Sequence, residues 1–276
     1  MLHIAITGSC QSSGYEMVEP EHFTNKQFKD LTKIFKKGNG YWNKRMEHYK
    51  KIYIDPDPKY AKRSLYQKLL LAQKKVRQLE TEKSWPETFR NRYKSHIEVA
   101  NLVVDGSNLV DNVDKFEKHL EKNKVTHVIH QIPGHWRIRV KDDETYGGHY
   151  VTVGPRILFN NNLKHLCKSL FNKPKGLYNR LQQYKELIIK DPEIFDKNIT
   201  AAVEKNKNLE KKYGFISYYI CHSKITSQLP VMNDVNIIHD DIRTYSRKHF
   251  KIGCDTPMES AYNDYVCDIV ALNLLH

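Results

Sequence analysis

The sequence predicts an α/β fold, with a mostly parallel sheet flanked by helices in a single domain, residues 1–276. Short apolar segments of strand length alternate along the chain with longer segments of helical periodicity. The strand segments are apolar over almost their whole length, which is typical of a parallel sheet covered by helices on both faces. With 276 residues, the chain is long enough for one substantial core, and we expect about five parallel strands.

The first predicted strand, 2–7, runs directly into Gly8-Ser9-Cys10, and a second glycine, Gly14, follows four residues later. Glycines permit backbone conformations and close approaches that a Cβ would forbid. Such a turn presents a small nucleophile, Cys10 or Ser9, at a strand end, where backbone N–H groups of a following helix can face an anion. The Walker phosphate-binding pattern, which requires Gly-Lys-Ser/Thr, is not met. A glycine-rich turn without covalent chemistry is the alternative.

Net positive charge is confined to one segment of the chain. Between Thr24 and His96 there are 20 Lys or Arg and seven Asp or Glu, whereas the remainder has 25 of each, so this segment carries the entire +13. Its periodicity predicts helices, and we expect a basic helical insertion, residues 24–96, between the first two strands. One predicted helix, 59–83, presents a cationic face that consists of Lys62, Arg63, Lys74, Lys75 and Arg77.

This charge predicts an anionic partner. The candidates are an anionic small molecule, a glycan and a nucleic acid. Aromatic side chains interleaved with the basic ones suit stacking on nucleic-acid bases. The alternative is a solvated helical face whose aromatic residues pack on the core. The aromatic residues in question are Tyr41, Trp42, Tyr49, Tyr53, Tyr60 and Tyr66.

The remaining elements are predicted from apolar runs and from helical spacing. Strands are expected at 97–104, 125–132, within 150–159 and at 214–221, with a short extended piece at 235–238. Helices are expected at 111–123, 163–171, 177–190, 192–212 and 259–275. The segment 146–150, with two adjacent glycines, is either a mobile loop over a site or a plain turn.

The ends of the predicted strands carry the candidate site. Ligands of an open parallel sheet bind beyond the carboxyl ends of its strands. A histidine there can take a proton from a thiol or hydroxyl near neutral pH, and glycine N–H or asparagine amide groups can bind an oxyanion. For each residue alone, a structural histidine or a plain turn is the alternative. The residues at these ends are Ser9, Cys10, Gly106, Asn108, His130, Gln131 and His222.

Cysteine spacing predicts reduced thiols and no metal site. The five cysteines are widely separated and include no C-x-x-C pair. We expect Cys10 to be the reactive thiol and the others, Cys167, Cys221, Cys254 and Cys267, to be mostly small buried side chains. No apolar run reaches membrane-spanning length and no leader pattern is present, so a cytoplasmic protein is expected.

Two motifs resemble those of a known superfamily. Gly8-Ser9-Cys10 resembles the opening of the GSCFA family and the Gly-Asn-Cys-Gln opening of the WcbI-like family, both similar to SGNH/GDSL-like hydrolases. The segment Asp240 to Tyr245, followed by Cys254-Asp255-Thr256-Pro257 and Ala261-Tyr262, resembles the closing segment of GSCFA proteins. The resemblance covers the two ends and the strand order, but neither the basic insertion nor residues near 170–212.

The resemblance implies a three-layer fold of the SGNH/flavodoxin-like type and acyl-transfer chemistry with Cys10 at the nucleophile position. Coenzyme A or acetyl-CoA is the implied acyl donor, and no further cofactor is required. The candidate oxyanion- and substrate-binding residues are Gly8, Gln11, Gly106, Asn108, Gln131, Asp255 and Thr256.

The closing segment departs from the family pattern at its catalytic pair. Thr256 stands where the family has histidine, Gly253 stands where it has aspartate, and Asp255 is displaced. Either another histidine substitutes or the chain has kept the fold and lost the reaction. The substitutes we consider are His130, His149, His222 and His249.

Two functions remain open from the sequence. The first is an esterase, deacetylase or acetyltransferase that acts on an anionic or carbohydrate-type substrate, with Cys10 or Ser9 attacking. The second is a catalytically inactive binding module of the same fold whose cationic helical arm binds nucleic acid or another polyanion. Retention on nucleic acid that depends on salt, or an acyl group trapped on Cys10, would discriminate between them.

Overall fold

The structure is a computed structural model of the whole chain. It describes residues 1–8, 81–82, 84–104, 107–134, 138–142, 149–153, 158–159, 175–250 and 260–275. Within these ranges, only the backbone is described for 138–142, 149–153, 175–177 and 260.

The main sheet has five strands, all parallel. They are β1 (Leu2–Thr7), β2 (Ile97–Asn101), β3 (His127–Ile132), β6 (Ile216–Cys221) and β7 (Asn236–His239). Their spatial order is β2-β1-β3-β6-β7. Thr7 pairs with His130, and Ile132 pairs with Cys221, so these strands end together at one edge of the sheet. The predicted mostly parallel α/β fold is confirmed.

Two helices cover each face of the sheet. On one face, α1 (Trp85–Tyr93) and α7 (Ser260–Leu274) bury Phe89 and Val266 against Ile4, Ile6 and Ile129. On the other face, α2 (Leu109–Leu120) and α4 (Ile194–Tyr213) bury apolar residues against the alternate strand positions. The main contacts of that second face are Val113, Phe116, Ile199, Val203, Ala5 and Val128. Because both faces are covered, most positions of β1, β3 and β6 are buried.

The remaining described helices are α3 (Lys175–Lys190), α5 (Lys224–Ser227) and α6 (Ile242–His249). A short 3-10 helix spans Pro230–Met232. In the described ranges, no helix has an apolar stretch that could span a lipid bilayer.

Local sequence signals explain where several helices begin and end. Pro86 lies in the first turn of α1, where a missing N–H costs no helical hydrogen bond. Asn108 caps α2 through a reciprocal pair of hydrogen bonds with Asp111. Gly214 ends α4 with φ of 72°, a left-handed conformation that a residue with a Cβ adopts only with strain.

Several elements differ from the sequence prediction. The strand expected within 150–159 is β5 (His149–Val153), which pairs antiparallel with β4 (Ile138–Asp142) outside the main sheet. Strand β4 and helices α5 and α6 were not predicted. Helix α1 falls inside the predicted insertion 24–96, yet Trp85 and Phe89 are fully buried in the main core. At its carboxyl end, the segment assigned to the insertion therefore belongs to the helical layer of the core. The helix predicted at 163–171 lies outside the described residues.

Candidate functional site

The carboxyl edge of the sheet, where β1, β2, β3 and β6 end, brings several candidate residues together. Gly8 follows β1 directly and is buried. Its carbonyl oxygen accepts hydrogen bonds from the Val104 backbone N–H (3.1 Å) and from the Ser107 hydroxyl (2.7 Å). The chain after β2 therefore holds the end of β1, directly before Ser9 and Cys10 in the sequence.

Asn108 lies at the same edge and caps α2. Its side-chain oxygen accepts the Asp111 backbone N–H at 2.9 Å. In the described part of the chain, the amide nitrogen of Asn108 has no hydrogen-bond partner, so it can still donate to a bound group. Together with Ile132, Gly134 and Phe195, Asn108 lines a narrow cavity of about 30 Å³, which has room for water.

His222 leaves β6 at the carboxyl edge and lies against Gly134. A Cβ placed on Gly134 would be 3.6 Å from Cδ2 and 3.8 Å from Nε2 of the His222 imidazole. Gly134 follows β3, which is the strand between β6 and β1. The His222 ring therefore extends from its own strand toward the side of the sheet on which β1 ends. The backbone N–H of Arg243 donates to the His222 carbonyl at 3.2 Å, which ties the residue to the start of α6.

His130, a second candidate base, lies in the core below this edge. It is fully buried between the rings of Phe116 and Tyr219. Its Nδ1 is 2.8 Å from the Thr7 hydroxyl, and its Nε2 is 3.1 Å from Oδ1 of Asn206. Because both ring nitrogens are hydrogen-bonded within the core, His130 is poorly placed to exchange a proton with a ligand. The prediction that it acts as base finds no support in this geometry.

Burial lowers the pKa of His130 from 6.5 to about 4, although its hydrogen bond to Asn206 acts in the opposite direction. The unfolded chain therefore binds a proton near pH 6.5 that the folded chain binds only near pH 4. Above pH 6.5 both states carry a neutral imidazole, and the full stability is present.

We expect the free energy of unfolding to decrease by about 3 kcal/mol as the pH falls from 6.5 to 4, on account of His130 alone. Urea denaturation at a series of pH values measures this loss. Other histidines whose pKa is lowered, such as His127 and His239, contribute a further loss of stability. That loss is the same in the wild type and in a variant that lacks only His130. The His130→Gln variant is the control, and its curve should be flatter by that amount. Parallel curves for the two proteins would contradict the prediction.

Gln131, predicted to bind substrate, is also buried in the core, on the face opposite His130. Its Oε1 accepts the Trp85 indole N–H at 2.8 Å, and its Nε2 donates to the Tyr262 hydroxyl at 3.2 Å. These bonds join α1, β3 and α7. The geometry gives Gln131 a structural function, because its side chain is buried among core residues and both polar atoms of its amide are hydrogen-bonded there.

Several predicted site residues lie outside the described residues, and their roles remain predictions. Of the other substitutes for the base, His249 is exposed on α6, and for His149 only the backbone, in β5, is described. In the described part of the chain, no three His, Cys, Asp or Glu side chains could hold a metal ion. The residues outside are Ser9, Cys10, Gln11, Gly106, Asp255 and Thr256, and the cationic face of Lys62, Arg63, Lys74, Lys75 and Arg77.

The two described cysteines are buried, and their thiols are expected to be unreactive. Burial raises the pKa of both the Cys221 and the Cys267 thiols to about 12. Nearby carboxylates of Asp240 and Asp241 add to the effect at Cys221. Only the thiolate reacts with alkylating agents, so these two side chains should react very slowly near neutral pH.

We therefore expect limiting iodoacetamide at pH 7.5 to label Cys10 before Cys221 or Cys267. The reason is that Cys10 follows a strand end where a helix start is predicted, and a helix dipole favours thiolate. Peptide mapping by mass spectrometry reads out the label. Preferential modification of any of the other four cysteines would contradict the assignment of Cys10 as the reactive thiol.

Sequence reasoning missed three residues that matter here, namely Thr7, Gly134 and Asn206. Gly134 could have been found, because it is the first glycine after the strand end at Ile132. Thr7 and His130 occupy paired positions on neighbouring strands, and this pairing becomes visible only once the register is known. Asn206 lies in mid-helix among charged residues, and nothing in its sequence neighbourhood indicates that it is buried.

Comparison with known proteins gave no match to this sequence, either among protein-family models or among curated proteins.

Proposed function

We propose that this chain is an acyl-transfer enzyme whose site lies at the carboxyl edge of the sheet, with Cys10 as nucleophile and His222 as base. The observation that carries the proposal is the position of the His222 imidazole beside Gly134, directed from β6 toward β1. Strands β6 and β1 are two positions apart, about 10 Å. Cys10 follows Gly8 by two residues, and two peptide units span up to about 7 Å. The length of chain after Gly8 therefore allows the Cys10 thiol to approach the His222 imidazole, which supports the proposal.

In the proposed reaction, His222 takes the proton of the Cys10 thiol, and the thiolate attacks the carbonyl carbon of an ester or thioester. A C–S bond forms and the carbonyl oxygen becomes an oxyanion. The amide nitrogen of Asn108 is a donor for that oxyanion, and the backbone N–H groups of the turn after Gly8 are further candidates. The bond to the leaving group then breaks, and the leaving group takes the proton from His222.

The acyl group on Cys10 is then passed to water or to a hydroxyl of an acceptor. His222 takes the proton of the attacking oxygen, a C–O bond forms, and the C–S bond breaks to return the thiol. Hydrolysis and acetyl transfer differ only in whether water or an acceptor hydroxyl attacks. Acetyl-CoA is a suitable donor, because its thioester is reactive and its phosphates match the charge of the basic segment.

The substrate class we propose is anionic or carbohydrate-type. Support comes from the net charge of +13 between Thr24 and His96, against a neutral remainder. The same charge supports the second candidate function, a binding module for nucleic acid or another polyanion. Binding of that kind weakens steeply as salt increases. Retention on a nucleic-acid column across a salt gradient, compared between the wild type and the Cys10→Ala variant, tests it without reference to the reaction.

The experiment that tests acyl transfer is direct trapping. The protein is mixed with p-nitrophenyl acetate or acetyl-CoA, quenched in acid, and digested for mass spectrometry. We expect an acetyl group on the peptide that contains Cys10, and much slower acetylation of that peptide in the His222→Asn variant, because His222 activates the thiol. The matched control is Cys267→Ala, which removes a buried thiol elsewhere. Acetylation of lysines alone, or none above background, would contradict the proposal.

A further inference from the structure

The end of β1 is held from both sides by its neighbours in the sheet. On the side of β2, the Gly8 carbonyl oxygen accepts the Val104 N–H and the Ser107 hydroxyl. On the side of β3, the Thr7 hydroxyl lies 2.8 Å from Nδ1 of His130. Thr7 and Gly8 are therefore fixed by a side-chain bond on one side and by two bonds to a backbone oxygen on the other.

A buried hydrogen-bond network extends from Thr7 through the core. His130 Nε2 is 3.1 Å from Asn206 Oδ1, and the Asn206 amide nitrogen donates to the Ser217 hydroxyl (2.7 Å) and to the Tyr219 hydroxyl (2.9 Å). Each of these five side chains is fully or nearly fully buried. Buried polar groups that are completely paired specify one arrangement, because any rearrangement leaves an unpaired group in a low-dielectric interior.

The network also determines the tautomer of His130. The Asn206 amide nitrogen donates to Ser217 and Tyr219, so the oxygen of Asn206 faces His130. With the Asn206 amide in this orientation, His130 carries its proton on Nε2. In a neutral imidazole, Nδ1 is left as an acceptor, and the Thr7 hydroxyl donates to it. The assignment follows from the hydrogen-bond network.

We infer that His130 is a positioning residue that, as a neutral imidazole protonated on Nε2, fixes the end of β1 through the Thr7 hydroxyl, and thereby orients the chain where it leaves β1 toward the predicted turn with Cys10. The inference rests on the proposed function in so far as that turn holds the nucleophile. It assigns His130 a role different from that of a base. Its low folded-state affinity for a proton is consistent with this role, since burial disfavours the imidazolium.

The test uses two variants of the full chain that differ by one hydroxyl. Thr7→Val removes the donor to His130 and nearly keeps the shape of the side chain, whereas Thr7→Ser keeps the hydroxyl. The matched control is Thr126→Val at the opposite edge of the sheet. The Thr126 hydroxyl bonds the backbone of His3, at 3.1 Å to the carbonyl and 3.0 Å to the N–H, so the same substitution also removes bonds to β1 there.

The first readout is the rate of Cys10 alkylation by iodoacetamide as a function of pH, measured by peptide mapping. Since small displacements of a reacting group have large effects, we expect Thr7→Val to change the Cys10 rate at pH 7 by roughly tenfold. Thr7→Ser and Thr126→Val should both stay within about twofold of the wild type. Superimposed profiles for Thr7→Val and the wild type would overturn the inference, as would an equal change in Thr126→Val.

The second readout requires no variant. Nitrogen-15 shifts of the His130 ring in the labelled wild type should show a neutral imidazole with its proton on Nε2 at pH 7. A proton on Nδ1, or a charged ring, would overturn the inference even if Thr7→Val failed to fold. Labelling of Cys10 needs no turnover, so these results stand apart from acyl trapping. If no acetyl group is trapped on Cys10 while Thr7→Val still changes the rate of Cys10 alkylation, the proposed function is overturned and the positioning role of His130 remains.

Discussion

Replacing Cys10 with alanine is expected to reduce turnover of p-nitrophenyl acetate by about a thousandfold or more, with substrate affinity within about twofold of the wild type. The thiol is used only in the chemical step of the proposed reaction, so its loss should lower kcat and leave binding intact. Steady-state kinetics give kcat, and equilibrium binding of a slow-reacting analogue gives affinity. Cys267→Ala, at a buried and quiet thiol, should leave kcat unchanged even if it lowers stability.

His222→Asn should reduce kcat by about a hundredfold to ten-thousandfold, the usual contribution of a general base. Charge reversal at Lys62, Arg63, Lys74 and Lys75 should act differently, because it weakens the binding of an anionic substrate and flattens its salt dependence. If Cys10→Ala and Ser9→Ala both keep full biological activity while the charge reversals destroy it, acyl transfer fails as the function. The cationic binding module then takes its place.

The fold was predictable because burial on both faces gives a strong signal in the sequence. Apolar runs separated by helical periods predicted β1, β2, β3 and β6, and the extended piece expected at 235–238 overlaps β7, the fifth strand of the sheet. The hairpin of β4 and β5 was not predicted as a pair. Residues 138–142 alternate charged and apolar side chains, and the pairing partner follows a glycine-rich segment that equally suits a loop.

The candidate site was only half predictable, for a geometric reason. Gly8 and His222 lie at the carboxyl edge as expected, because each follows its strand directly. The side chains of His130 and Gln131 do not face the site, although the two residues are near the end of β3, because they point to the two covered faces of the sheet and are buried under helices. A sequence shows that polar residues stand near the end of an apolar run, but one or two residues of uncertainty in that end decide between the core and the edge.

The same uncertainty governs the boundary of the basic segment. The predicted helix 59–83 stops just before Trp85-Pro86, and in the structure these two residues begin a further helix, α1. The Trp85 indole is fully buried, packs in the core cluster with Phe89 and Val266, and donates to Gln131 at 2.8 Å. Cys267 of α7 donates to the Trp85 carbonyl at 3.4 Å. Trp85 therefore anchors α1 to both β3 and α7.

Trp85→Ala is accordingly expected to lower the free energy of unfolding by about 3–5 kcal/mol, which is the range for truncating a large buried aromatic side chain. Trp85→Phe keeps an aromatic ring but loses the hydrogen bond to Gln131 and part of the volume, so its cost should be smaller, about 1–3 kcal/mol. Urea denaturation followed by circular dichroism measures both. The control is Leu272→Ala on α7, where the side chain is 66% exposed and the expected change is small.

Urea denaturation of the Trp85→Ala variant also locates the boundary between the core and the basic segment. If α1 belonged to an elaboration with its own core, Trp85→Ala would disturb that elaboration and leave the main unfolding transition where it is. A single transition displaced to lower urea, with the slope unchanged, places α1 in the main core. The segment before residue 84, which holds 17 of the 20 basic residues between Thr24 and His96, would then remain as the segment proposed to bind a polyanion. An unmoved main transition would instead return α1 to the insertion.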